Sequence, residues 1–297
     1  MATHMSAETA SQPDVWAAVT ARLEEFAPAL PRDEERVAVV GCGTSWFMAQ
    51  AYACLREDGG HGLTDAFTAS EYRLNRDYDR TILLTRSGTT TEVRHVLDSL
   101  RASRRKHLSI VATPGTPVVE GSAAAIVLPE ADEQSVVQTR FATSALAVLR
   151  ASLGEDLTPA ITDAESVLAE PEERVADQLV EAEQVTFLGH GWSVGLAHEA
   201  ALKLRESVQL WTESYPAMEY RHGPISIAAP GRVVWALGSM PEGLLDDVRA
   251  TGAHVEQRHI DPMAELVRVH RLSLLRARLA GLDPDEPRNL TRSIVLS

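Results

Sequence analysis

The chain has 297 residues, 44% hydrophobic and 24% charged, with 28 Lys and Arg against 42 Asp and Glu, a formal net charge of −14. This is a globular composition, long enough for one large domain or two of ordinary size. The acidic balance argues against a nucleic-acid partner, which needs a basic face. No apolar run approaches the ~20 residues of a membrane-spanning helix. The opening residues lack the basic-then-apolar order of a secretory signal, so a cytoplasmic chain with no membrane contact is expected. Cys42 and Cys54 are too few for a disulfide framework and lack zinc-ligand spacing. They read as small buried hydrophobes, and no metal is expected.

Taken in order, residues 1–10 read as loose. Val15, Val19, Leu23 and Phe26 then mark a leading helix, which Pro28 and Pro31 end. Val37–Val40 is a short β-branched strand. It runs through Gly41-Cys42-Gly43-Thr44-Ser45 into a helix ending near Arg56. A strand, a Gly-rich turn and a helix N-terminus make an anion pocket from free backbone N–H groups. Trp46 stands where a dinucleotide fingerprint needs a small residue, which weighs against NAD; no cofactor is expected. Residues 63–69 and 81–85 are further strands, and the second enters Arg86-Ser87-Gly88-Thr89-Thr90-Thr91 before a helix over 92–100. Thr85, Ser87, Thr89, Thr90 and Thr91 surround one Gly. Either they cap a helix, or with Arg86 they hold a phosphate monoester.

Strands over 108–112 and 125–128 and a helix over 139–153 complete an α/β order. Residues 154–159 read as a break, and helical pieces over 160–169 and 172–183 follow. The pattern then restarts. Val185-Thr-Phe-Leu-Gly189-His-Gly191 repeats Val37-Ala-Val-Val-Gly41-Cys-Gly43, which reads as an internal duplication. The stretch 185–224 reads as a strand, a Gly-rich turn, a helix and a short helical piece. Its helix sets Glu199, Lys203 and Glu206 on one face. Such a set is either a solvated ion-pair stripe or acid–base machinery. Leu196, Ala200, Ala201, Leu202, Leu204 and Val208 surround it with apolar surface, and buried charges need a reason. A strand over 233–237, the segment 246–255 and a long helix over 259–279 follow. The tail is Pro-rich, and Leu290, Ile294, Val295 and Leu296 suggest that it docks.

Several of these motifs together resemble the sugar isomerase (SIS) family, in particular the isomerase half of the glucosamine-6-phosphate synthases. They are Ser11-Gln12-Pro13, Cys42-Gly43-Thr44-Ser45, Ala69-Ser70-Glu71-Tyr72-Arg73 and Ser87-Gly88-Thr89-Thr90 in the first half. In the second half they are His198-Glu199-Ala200-Ala201-Leu202-Lys203-Leu204-Arg205-Glu206, Glu219-Tyr220-Arg221-His222-Gly223-Pro224 and Asp285-Glu286-Pro287-Arg288-Asn289-Leu290. The resemblance implies an α/β fold of two tandem SIS lobes, each an open parallel sheet sandwiched by helices in a flavodoxin-like three-layer arrangement. The expected division is an N-terminal helical segment over 1–30, a phosphate-binding lobe over 31–155, a lobe carrying the catalytic helix over 156–280 and a tail over 281–297.

It also implies a sugar 6-phosphate held by Thr44, Ser45, Thr85, Arg86, Ser87 and Thr90, with Gln138 and Arg292 as further contacts. Glu206 would be the base that moves a proton between C1 and C2, with Glu199 and Lys203 beside it. His222 would open the sugar ring from the neighbouring subunit of a homodimer. The sequence departs from the synthases in three ways. It has no glutaminase-like segment, Arg86 and Gln138 replace the usual Gln and Ser, and Arg292 stands where the tail carries a Schiff-base lysine. A guanidinium cannot act as that nucleophile. The expected activity is therefore aldose–ketose isomerisation, or deamination of a hexosamine 6-phosphate. A non-catalytic sugar-phosphate sensor and a fructosamine-6-phosphate deglycase are the alternatives.

Overall fold

The computed structural model describes residues 3–296, except the side chains of residues 176 and 177. Three short helices lead: α1 (His4–Ala10), α2 (Gln12–Thr20) and α3 (Leu23–Phe26). Next come β1 (Val37–Gly41), α4 (Thr44–Asp58), β2 (Thr64–Thr68), β3 (Arg80–Thr85), α5 (Thr91–Ala102), β4 (His107–Val111), α6 (Pro117–Gly121), β5 (Ala125–Val127) and α7 (Arg140–Ala151). Helices α8 (Thr158–Ala169) and α9 (Glu173–Val180) connect to β6 (Gln184–Gly189), α10 (Ser193–Val208), β7 (Thr212–Pro216), β8 (Arg232–Leu237), α11 (Leu244–Ala250), β9 (His254–Gln257) and α12 (Pro262–Ala280).

The strands form two wholly parallel sheets, ordered β2-β1-β3-β4-β5 and β7-β6-β8-β9. In both, the chain starts on an inner strand, steps to the edge, then crosses back. Parallel sheets need helices on both faces, which is why β1, β4 and β6 are buried along their whole length, the polar His107, Ser109, Gln184 and Thr186 included. The first sheet turns Val37, Val39, Ile82 and Ile110 toward a central core, and Ala38, Val40 and Leu83 toward α5. The second turns Phe187, Val233 and Trp235 toward the same central core, and Leu188 and Val234 toward α11. One continuous core, filled by α4, α7, α10 and α12, thus lies between the sheets. This is an α/β three-layer fold.

Three expectations are corrected. Residues 4–10 are not loose. They form α1, with Met5, Glu8 and Thr9 buried, and the Asp285 carboxylate accepts from the His4 and Met5 amides at 2.6 and 2.8 Å. The stretch after α10 holds a strand, β7, before its 3₁₀ turn (Ala217–His222). As a half-buried edge strand, Thr-Glu-Ser-Tyr-Pro carries little of the apolar pattern that betrays an inner strand. The tail does dock, but not through its apolar side chains. Ile294, Val295 and Leu296 are exposed, and the contacts are polar.

Gly195 brings the halves together. A Cβ built there would lie 2.3 Å from the Phe47 carbonyl oxygen and 3.0 Å from the Ala51 nitrogen, both backbone atoms of α4. Gly195→Ala gains about 1 kcal/mol of helix propensity. Overpacking against rigid backbone costs about 1–3 kcal/mol and separates the helices. Urea unfolding should therefore show net destabilisation, and an unchanged or raised midpoint would contradict this close crossing.

Candidate active site

Strands β1 and β3 are hydrogen-bonded neighbours, so the turns at their carboxyl ends lie side by side. The helices leaving those turns pack on opposite faces: Met48 and Tyr52 of α4 on the central core, Val93 and Val96 of α5 on the outer one. A crevice opens where successive helices diverge in this way. Here it is a cavity of about 180 Å³ lined by Thr44, Ser45, Thr85, Arg86, Ser87, Thr90, Gln138, Glu206 and Arg292, among others. Gly43 takes φ 51°, which lets the backbone turn directly into α4.

The second half of the chain reaches this cavity through α10. Lys203 is fully buried. Its Nζ donates to Glu206 Oε2 at 2.6 Å and to Thr44 Oγ1 at 3.3 Å, and lies 3.3 Å from Glu199 Oε1. The three charges are therefore not a solvated stripe. Glu206 is partly open to the cavity, whereas Glu199 is sealed behind it and, among the described residues, neither of its oxygens has an aligned hydrogen bond. Burial pushes the Glu199 carboxyl up to about 7, against the pull of Lys203 and with help from Glu206. Burial lowers the Lys203 pKa, but Glu199 and Glu206 outweigh it and hold the ammonium above its ordinary value. Lys203 thus stays charged, and the pair of carboxyls shares one cation.

A raised carboxyl pKa stabilises the fold fully below the unfolded value near 4.5, and this contribution is lost as pH rises toward 7. Glu199→Gln removes that dependence. The wild type should lose on the order of 3 kcal/mol relative to the variant between pH 4.5 and 7.5. Parallel urea curves for the two proteins across this range would refute the shift.

Arg86 corrects an expectation. Its guanidinium is not held out for an anion. It donates to the carbonyls of Ser135 (2.8 Å), Val136 (3.2 Å) and Arg292 (2.8 Å), and sits 3.6 Å from the buried Glu133 carboxylate. Glu133 Oε1 in turn accepts from the Thr139 and Arg140 amides at the start of α7. Glu8 of α1 accepts from the Gln134 amide and the Ser135 hydroxyl. Arg292 also lines the cavity, and its guanidinium pairs with Asp132 at 2.6 Å and donates to the Glu133 carbonyl at 3.0 Å. Gln138 lines the cavity with a buried side-chain oxygen that has no hydrogen-bond partner among the described residues.

The tail adds a residue that the sequence did not reveal. Ser293 Oγ lies 3.0 Å from Ser87 Oγ, 2.9 Å from Thr89 Oγ1 and 3.3 Å from Thr90 Oγ1. The Ile294 carbonyl accepts from the Thr91 amide at the start of α5 at 3.1 Å. Tail oxygens thus occupy donors of the hydroxyl loop. His222 stands apart on its exposed 3₁₀ turn and does not line the cavity. Both cysteines are free and half-buried rather than buried.

Residues 32–153, the first sheet and its helices, match the family model of the SIS domain. Over 89% of its length the chain is 26% identical to glutamine–fructose-6-phosphate aminotransferase (isomerizing) of Bacillus subtilis, covering 52% of that protein, and 25% identical to that of Sulfurisphaera tokodaii, covering 51%. The chain thus spans about half the length of these curated relatives. Among solved structures, a glucosamine-6-phosphate deaminase of Thermotoga maritima superposes over 99% of this chain and all of that one with a TM-score of 0.83 at 23% identity. A tagatose-6-phosphate ketose/aldose isomerase of Escherichia coli covers 99% of this chain and 96% of its own, with a TM-score of 0.80 at 18% identity. These two likenesses are of fold. Among the described residues, no helix is long and apolar enough to cross a membrane.

Proposed function

We propose that the chain is a sugar-phosphate enzyme of the SIS type, which isomerises a hexose 6-phosphate between aldose and ketose or deaminates a hexosamine 6-phosphate. The observation that carries this reading is Glu206, a carboxylate on the wall of the same small cavity as a ring of Ser and Thr hydroxyls at two helix starts. Hydroxyls and helix N-termini suit a phosphate, and Gln138, with its spare oxygen, suits a sugar hydroxyl. Glu206 then moves a proton between C1 and C2, while the Lys203 ammonium, 2.6 Å away, offsets negative charge that develops on the sugar oxygen. Glu199 keeps Lys203 in place.

The matching strand orders and strand–turn–helix starts support two tandem SIS lobes, which divide near residue 155. The exposure of His222 supports its delivery to the cavity of a second copy in a homodimer. Arg292, held by Asp132, does not replace a Schiff-base lysine, so synthesis of an amino sugar is not part of the proposal. Ammonia release and isomer exchange should be assayed over hexose and hexosamine 6-phosphates. Turnover of at least one is expected. Tight calorimetric binding with no product from any would make the chain a sensor instead.

A further inference from the structure

A cavity of about 630 Å³ lies between α1, the start of α9, the second half of α12 and the segment 281–284. It shares no lining residue with the crevice of Glu206. Its volume falls in the range of about 300–1,000 Å³ usual for a small-molecule site.

The walls of this cavity are apolar but carry an unmatched charge. Leu168, Val175, Leu274, Leu275 and Leu282 supply the apolar surface. The two anionic side chains on the wall are engaged. Glu172 pairs with Arg278, and the Asp283 carboxylate accepts from the Asp285 amide at 2.9 Å. Arg271 is half-buried and has no ion pair among the described residues. Its guanidinium donates only to neutral carbonyls, those of Val167 and Glu170 at the end of α8. Burial lowers its pKa against the pull of Glu170 and Glu172. Thr9, 1% exposed, is also on the wall, and its hydroxyl has no hydrogen-bond partner among the described residues. A cation without a counter-ion and a spare hydroxyl beside leucines suit an anion carried on an apolar body.

The cavity also lies across a clasp. One of its walls is α1, and the facing segment ends at Pro284, next to the Asp285 carboxylate that holds the His4 and Met5 amides. The Asp285 carbonyl accepts from the Val136 amide at 3.1 Å, and Glu8, beside Thr9, holds Gln134 and Ser135. The carbonyls of Ser135 and Val136 are those that fix Arg86, which in turn holds the tail at Arg292. A ligand that touches both α1 and segment 281–284 binds only while the two are docked, so its binding free energy favours the closed clasp.

We propose that this cavity is an effector site for an organic monoanion, a carboxylate or sulfonate on an aliphatic or aromatic body, whose binding holds the clasp between α1 and Asp285 closed. The site is independent of the sugar-phosphate reading.

Two fluorescent probes test it: anilinonaphthalene sulfonate and its neutral parent, phenylnaphthylamine, which differ only by the anion. The sulfonate should bind the wild type about tenfold tighter than the parent or better. That ratio, read within each protein, should fall toward one in Arg271→Met. Ala10→Trp fills the cavity from an exposed position on its wall and leaves Arg271 in place, so it should remove binding of both dyes. Arg288→Ala, which removes an exposed cation outside the cavity, should change neither. At ten times its Kd the sulfonate should slow hydrogen exchange of the His4 and Met5 amides about tenfold. A wild-type ratio near one, sulfonate binding that persists in Ala10→Trp, or binding that is lost in Arg288→Ala overturns the site. Exchange that stays unchanged with the dye bound overturns its action on the clasp.

Discussion

Glu206→Gln abolishes most turnover, with kcat falling about 10²–10⁴-fold on whichever sugar phosphate the wild type accepts. The substitution keeps the shape of the side chain and one oxygen for the Lys203 ammonium, now 2.6 Å from Glu206 Oε2. It removes the capacity to take a proton, together with the negative charge beside Lys203. Binding of the sugar phosphate should therefore survive in calorimetry, since the hydroxyls of Thr44, Ser45, Ser87 and Thr90 are untouched. Lys203 retains a carboxyl 3.3 Å away in Glu199, so the variant should also fold. A rate within threefold of wild type would remove Glu206 as the base.

The same variant tests where His222 acts. Proteins carrying Glu206→Gln and His222→Ala are each expected to be inactive. If His222 serves the neighbouring copy, verified mixed dimers hold one site with both groups intact and recover up to half of the wild-type activity per mixed dimer. No recovery would place His222 outside the shared chemistry.

The inner strands and the charged face of α10 were legible because each announces itself within a few residues. Val37–Gly41 is an unbroken apolar run and Gln184–Gly189 a mostly apolar one that carries Gln184 and Thr186, and both are buried along their whole length. Glu199, Lys203 and Glu206 share a face by helical geometry alone, and the apolar residues around them signalled burial. What escaped was whatever is decided by the other end of the chain. Arg86 looked like a phosphate ligand from its neighbours, yet one of its hydrogen bonds goes to the carbonyl of Arg292, 206 residues away. Ser293 has no local pattern that would send its hydroxyl into the Ser87–Thr90 loop. The apolar residues of the tail suggested docking for the wrong reason, since its grip is hydroxyl, carbonyl and guanidinium. α1 was missed likewise, because its N-terminus is capped by Asp285.

The largest expected effect on stability falls on this polar assembly. Arg86 and Glu133 have side chains 1% and 0% exposed, 3.6 Å apart. Burial pushes the Glu133 carboxyl pKa up, and Arg86 pulls it back; burial likewise lowers Arg86, and Glu133 opposes this. Arg86→Met fills similar space but strands Glu133 and leaves the carbonyls of Ser135, Val136 and Arg292 without their donor. Breaking one side of a buried pair costs about 3–5 kcal/mol, a large share of the roughly 5–15 kcal/mol that holds a typical domain folded. The urea midpoint should drop accordingly. Because the Arg292 carbonyl is one of the stranded groups, trypsin should cut after Arg288 and Arg292 faster in native variant than in native wild type. Adding Glu133→Gln should restore part of the loss, since the uncompensated charge goes with it, giving a coupling of about 0.5–3 kcal/mol in the double-mutant cycle. A single variant within about 0.5 kcal/mol of wild type, with its tail still protected, would mean that Arg86 anchors nothing. The guanidinium would then be free for the phosphate after all, and the affinity of the same variant for glucitol 6-phosphate would show it.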